Sequence, residues 1–179
     1  MSTPDITALQ YPIGKFSFKD DMTPEKRKKC ILEIESTPAK LRDAVKGLTD
    51  EQLDTPYRPE GWTVRQVVHH IPDSHLNAYV RMKLALTQTE PTICAYDEKD
   101  WAKLYDVFKT PAEVSLNLLE SLHKRWIVLL KSLTEEDCKR KFIHPESGLK
   151  TVDWLIALYA WHGKHHTAHI TSLRNRMKW

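Results

Sequence analysis

Thr151-Val-Asp-Trp-Leu-Ile-Ala-Leu-Tyr-Ala-Trp-His-Gly-Lys-His-His-Thr-Ala-His-Ile-Thr-Ser-Leu-Arg174 reads as one long helix carrying four of the chain's nine histidines. With about 100° of rotation per residue and His162 set at 0°, His165, His166 and His169 fall near 300°, 40° and 340°. Leu155, Leu158, Tyr159, Ile170 and Leu173 fall at roughly 20°, 320°, 60°, 80° and 20° on the same wheel. The histidines therefore interrupt the apolar stripe. An unpaired buried polar group costs roughly 1–3 kcal/mol, so something must satisfy these rings, and a metal ion is the most economical candidate. The pair His162/His166, four residues apart, is nearest the middle of the stripe, where two imidazole nitrogens can reach one ion. His165/His169 has the same spacing but lies on the shoulder, towards Trp154 and Trp161. Gly163 stands where the zinc-protease motif His-Glu-x-x-His needs its glutamate, so that motif is absent.

The rest of the chain sets the context for this helix. Its 179 residues fit one domain large enough to bury a core without staples. A charged fraction of 28% and a net charge of +3 give no footprint for nucleic acid, and the run Lys26-Arg27-Lys28-Lys29 reads as a solvated helix face. No apolar run approaches the ~18 residues of a membrane span, and the polar start is not a signal peptide. Three widely spaced cysteines, Cys30, Cys94 and Cys138, suit free thiols in a reducing cytoplasm. These features predict a cytoplasmic protein with no nucleic-acid or membrane partner.

Residues 1–22 lack helical period and read as an extended arm, docked through Tyr11, Ile13, Phe16 and Phe18. Residues 23–179 form the domain. Helices are expected near 24–46, 63–86, 111–132 and 151–176, opened by Thr23-Pro24, by Thr63 with Gln66, by Thr110-Pro111 and by Thr151. Pro38 should kink or split the first, and Pro72 shifts the phase of the second, which carries His69, His70 and His75. Residues 87–110 are a long connection of the kind that covers a site. Leu48-Thr-Asp-Glu51, Gly61 and Thr63-Val64 before one histidine helix are echoed by Leu133-Thr-Glu-Glu136, Gly148 and Thr151-Val152 before the other. This weak repeat predicts an all-α four-helix bundle of two hairpins joined by a crossover, with the histidine helices facing each other.

The chain also resembles the DinB-like family, most closely its YfiT-type, bacillithiol-transferase branch. The resemblance rests on Tyr11-Pro-Ile-Gly14, Gln52-Leu-Asp-Thr-Pro-Tyr-Arg58, Gly61-Trp-Thr-Val-Arg-Gln-Val-Val-His-His70, Asp73-Ser-His75, Tyr96-Asp-Glu-Lys99, His144-Pro145 and Trp161-His162 through Ile170. It implies a right-handed bundle with an unusual connection order, a homodimer, and a zinc- or nickel-dependent hydrolase. It also implies His70, His162 and His166 as ligands of one divalent ion, leaving His69, His165 and His169 outside the ligand set.

Three histidines leave an ion with open positions, as catalytic sites do. The chemistry that follows is metal-assisted hydrolysis of a small substrate. One alternative is S-transfer from a low-molecular-weight thiol such as bacillithiol, bound as thiolate. Another is a non-catalytic bundle braced by its ion. Asp73, Asp97 and Glu98 are the general-base candidates, Asp73 is also a candidate partner for a ligand's other ring nitrogen, and Arg65 and Arg81 could orient an anionic substrate.

Overall fold

The structure is a computed structural model that describes residues 5–19 and 22–179; residues 1–4 and 20–21 of the expected arm lie outside it. In chain order the helices begin with α1 (Ile6–Gln10), α2 (Pro24–Val45), α3 (Asp50–Leu53), α4 (Val64–Thr87), α5 (Glu98–Trp101) and α6 (Tyr105–Lys109). They continue with α7 (Ala112–Ser132) and α8 (Glu135–Lys139), then strands β1 (Lys141–His144) and β2 (Gly148–Thr151), and end with α9 (Val152–Met177). The chain is a four-helix bundle made by α2, α4, α7 and α9. Three of these start where a threonine side chain accepts an otherwise unpaired backbone N–H: Thr23 from Lys26, Thr63 from Gln66 and Thr151 from Trp154.

The pairing is not two hairpins. Both α2 and α4 pack against α7 and α9, so α2 lies across the bundle from α4 and α7 from α9, while the histidine helices α4 and α9 are neighbours. The echo in the sequence survives as local structure. Thr49 caps α3 and Thr134 caps α8, each in a reciprocal capping box, and a short antiparallel pairing follows in both halves. In the second half that pairing is the hairpin β1–β2, where the sequence predicts only a loop. Gly148 takes φ +75° at the turn, and alternation sends Phe142 fully into the core.

The core is in two pieces. One holds Ile34, Met82, Trp126, Phe142, Leu155 and Ile156; the other holds Leu41, Val67, Ile71, Leu119, Ile170 and Leu173. On each long helix the boundary falls at polar or special residues: Thr37 and Pro38 on α2, His75 on α4, His123 on α7, and His162 to His169 on α9. Pro38 does not split its helix. It has no N–H for the Ile34 carbonyl one turn earlier, and the His123 ring takes that carbonyl instead, Nδ1 to O 2.8 Å. Pro72 likewise sits inside an unbroken α4.

Arg27 corrects the reading of the basic run as solvated. It is buried, with Nε 2.6 Å and an Nη 2.9 Å from the Asp153 carboxylate at the start of α9 and a further bond of 3.1 Å to Glu135 on α8. The described part of the arm is not wholly extended, since Asp5 caps the single turn α1. Beyond it, Phe16 lies 5.9 Å from both the Trp154 and Trp161 rings, and the Trp161 indole N–H donates to the Gly14 carbonyl at 3.2 Å.

Gly163 packs α9 tightly against Thr37 of α2. A Cβ there would lie 2.6 Å from Thr37 Oγ1 and 2.7 Å from Thr37 Cγ2, so no rotation of Thr37 makes room. The Gly163→Ala variant should lose about 1–2 kcal/mol despite alanine's better helix propensity, read as a lower urea midpoint. Adding Thr37→Ala should restore most of the loss. A midpoint at or above the parent's in Gly163→Ala alone would contradict this packing.

Candidate metal centre

One turn of α4 and two of α9 build the site. His70 projects from α4, and His162 and His166 project from successive turns of α9. One ring nitrogen from each lies within 4.8 Å of the others, and His70 Nε2 is 3.3 Å from His162 Nε2. His70 and His166 are buried, and His162 is half-buried. Burial holds the His70 imidazole down to about 3 and keeps His162 and His166 well below the usual imidazole range, with neighbouring rings adding to the effect. The three rings are therefore neutral at pH 7, and His166 Nδ1 has no hydrogen-bond partner. Convergent neutral imidazoles with unspent lone pairs fit a divalent metal ion.

The group lies where two clefts meet. A cleft of about 290 Å³ is lined by all three histidines with Ser74, Arg81, Tyr96, His144 and Tyr159. A second, of about 300 Å³, is lined by Tyr11, Tyr57, Arg58, Lys99, His165 and His169, and shares Trp62, Glu98 and His166 with the first. The 87–110 connection supplies Ala95, Tyr96 and Glu98 to these walls. Trp62 packs on the group, 4.6 Å from the His70 ring centre and 6.2 Å from that of His166.

The other candidates separate clearly. His69 turns to α7, with Nδ1 2.7 Å from the Ser115 hydroxyl. His165 stacks on Trp161 at 4.2 Å, and His169 stacks on Tyr57 at 4.0 Å while donating from Nε2 to the Gln10 carbonyl. Asp97 is used as the cap of α5, accepting from the Lys99 and Asp100 amides, and those bonds lower its pKa. The Asp73 carboxyl is pushed up to about 6, first by burial, but it lines neither cleft and bonds to no ring of the group. The partner of His162 Nδ1 is instead His75, at 3.2 Å. Glu98 alone of the three base candidates lines the clefts. Arg65 is held by Asp54 at 2.6 Å and Asp50 at 2.8 Å, tying α3 to α4, whereas Arg81 lines the cleft with no carboxylate partner among the described residues. One Arg81 Nη donates to the Cys94 carbonyl at 2.9 Å, its guanidinium lies 5.8 Å from the Tyr96 ring centre, and its Nε is buried without a partner. His123, fully inside the bundle, was not among the sequence candidates; its signal was a lone imidazole in the Leu119–Leu122–Trp126 stripe of α7.

The chain is thus a bundle of four helices with a histidine triplet at a cleft, a group that could hold a metal ion. Within it, residues 33–170 match the DinB superfamily, and the chain belongs to that family. It is 57% identical over 171 residues to a Bacillus cereus protein named "Putative metal-dependent hydrolase", covering 96% of this chain and 98% of the other. A Bacillus thuringiensis relative of the same description matches to the same extent. The fold also superposes with a TM-score of 0.94 on YfiT from Bacillus subtilis, described as "a probable metal-dependent hydrolase with an unusual four-helix bundle topology". Those two chains share 49% identity over 96% of this chain and 99% of YfiT.

Burial also lowers His123, His165 and His169 to about 4. Unfolding returns these rings to about 6.5, so below that pH the unfolded chain binds protons that the folded chain excludes. Stability is therefore full above about pH 7 and lost as pH falls towards 4. With chelator present, the urea midpoint should drop steeply between about pH 6.5 and 4.5, each such ring adding up to about 1.4 kcal/mol per pH unit. A flat midpoint across that range would contradict neutral buried histidines.

Proposed function

We propose that this protein is a metal-dependent hydrolase in which His70, His162 and His166 hold one divalent ion, zinc or nickel. The observation that carries the reading is that, among the described residues, three histidine nitrogens converge at the meeting of two clefts, so an ion there keeps positions open towards a substrate. Such an ion supplies Lewis acidity towards a carbonyl oxygen and acidifies water. The protein's own groups do the rest. Arg81 offers its guanidinium to an anionic part of the substrate. Glu98 at the cleft edge is the proton acceptor, and the Ser74 hydroxyl, 3.2 Å from the Tyr159 hydroxyl, orients polar atoms beside the reacting bond.

The second cleft supports a second reading, thiol S-transfer, because it leaves room beside the same group for a co-substrate. Among the described residues no cysteine lines either cleft, so the thiolate would be the co-substrate's. Turnover without added thiol favours hydrolysis, and strict dependence on a small thiol favours transfer. Under either reading, Arg81→Met should erase any preference for carboxylate-bearing substrates, seen as a higher KM at unchanged metal content.

Metal content tests the site itself. Protein purified without a chelating tag should carry about one ion per chain, with near-complete loss in His162→Ala and His166→Ala and retention in His165→Ala. If His165→Ala empties the site and His166→Ala does not, the shoulder pair holds the ion and the assignment is wrong.

A further inference from the structure

Behind His162, on the side away from the cleft, two more histidines form a line. His162 Nδ1 is 3.2 Å from His75 Nε2, His75 Nδ1 is 2.8 Å from His123 Nε2, and His123 Nδ1 is 2.8 Å from the Ile34 carbonyl oxygen. His75 is 0% exposed and His123 2%. The His75 and His123 rings stack at 4.9 Å with 22° between their planes, and the Trp126 ring meets both edge-on. The line ends on an acceptor that the sequence leaves available, because Pro38 has no N–H for that carbonyl.

The terminus sets the direction of every bond in the line. A carbonyl only accepts, so His123 Nδ1 carries the hydrogen and donates. A neutral imidazole has one N–H, so His123 Nε2 accepts, from the Nδ1–H of His75. His75 Nε2 then accepts from the Nδ1–H of His162. That leaves His162 Nε2 with a bare lone pair, facing His70 Nε2 at 3.3 Å and the Ser74 hydroxyl at 3.4 Å. Neither His75 nor His123 bonds to a carboxylate among the described residues, which accords with neutral rings. A dead end on a carbonyl suits holding a tautomer, whereas proton conduction would need an exchanging group at that end.

We propose that His75 and His123 are positioning residues, a one-way hydrogen-bond relay anchored on the Ile34 carbonyl that fixes His162 as its Nδ1–H tautomer and presents Nε2 to the divalent ion. The relay rests on the ion reading given above. It extends a general arrangement, in which the other nitrogen of a ligating histidine is held by a carbonyl or carboxylate, through two further rings.

The test uses the full chain with 15N-labelled histidine, free of metal at pH 7.5. Two-bond 15N–1H spectra should show His75, His123 and His162 all protonated at Nδ1. An Nε2–H form at any of the three overturns the relay. Titration with zinc or nickel then compares variants. His75→Leu should stay helical by circular dichroism but bind the ion about 10- to 100-fold more weakly, with His162 no longer a single tautomer. His75→Gln, whose amide can accept from His162 and donate to His123, should recover most of that loss. Parental affinity in His75→Leu overturns the proposal. If His75→Leu does not fold, the spectra of the unmodified chain decide alone. If the unmodified chain binds neither ion, the ion reading fails instead, and the metal-free tautomers still decide the relay.

Discussion

An imidazole taken out of water has two nitrogens to satisfy, and this bundle takes several of them out at one level. That requirement organises the middle of the molecule. The apolar core is cut into two pieces by the histidine-bearing layer, and several rings in it are committed by their neighbours. His69 uses a serine, His169 a backbone carbonyl and an aromatic stack, His75 and His123 one another. The triplet His70, His162 and His166 instead turns one nitrogen of each ring towards the others, where two clefts meet. Protonating the layer costs folding free energy, so the neutrality that suits an ion is also a condition of stability.

The four long helices were legible because their signals are local. Thr23, Thr63 and Thr151 announce starts that the structure places within a residue or so of the expected ones, and the apolar stripes give the type. The order in which the helices pack was not legible, since hairpins and diagonal crossings present the same stripes. The β1–β2 hairpin was missed because four-residue strands carry too little alternation to register. Arg27 was misjudged for a related reason: its environment is set by Asp153 and Glu135, more than a hundred residues away. Within the site, helical spacing centred His162 and His166 but could not choose among His69, His70 and His75, because Pro72 intervenes; the resemblance singled out His70. Sequence could not rank the carboxylates Asp73, Asp97 and Glu98, because which of them reaches a cleft is set by tertiary packing, and only Glu98 of the three lines the clefts.

The two prolines inside long helices show how a local defect is put to use. A proline in a helix interior leaves a carbonyl one turn earlier without its donor. On α2 that carbonyl meets the side chain of another helix, so the gap in one backbone ladder becomes a fixed point for residues on α7, α4 and α9. A substitution at Pro38 would bring a competing amide to that oxygen while touching nothing in the clefts.

The close contact of Gly163 with Thr37 has a consequence for how such a protein can diversify. A glutamate one residue beyond His162, the arrangement metalloproteases use, is sterically closed to this helix. Among the described residues, carboxylates reach the cleft from connecting segments, Glu98 from α5 and Glu146 from the turn between β1 and β2. The labour is thus divided between a rigid frame that carries the imidazoles and replaceable loops that bring acid–base groups. Relatives with the same frame can therefore take up different reactions by editing two short surface segments, and the frame by itself does not disclose which reaction a given member performs.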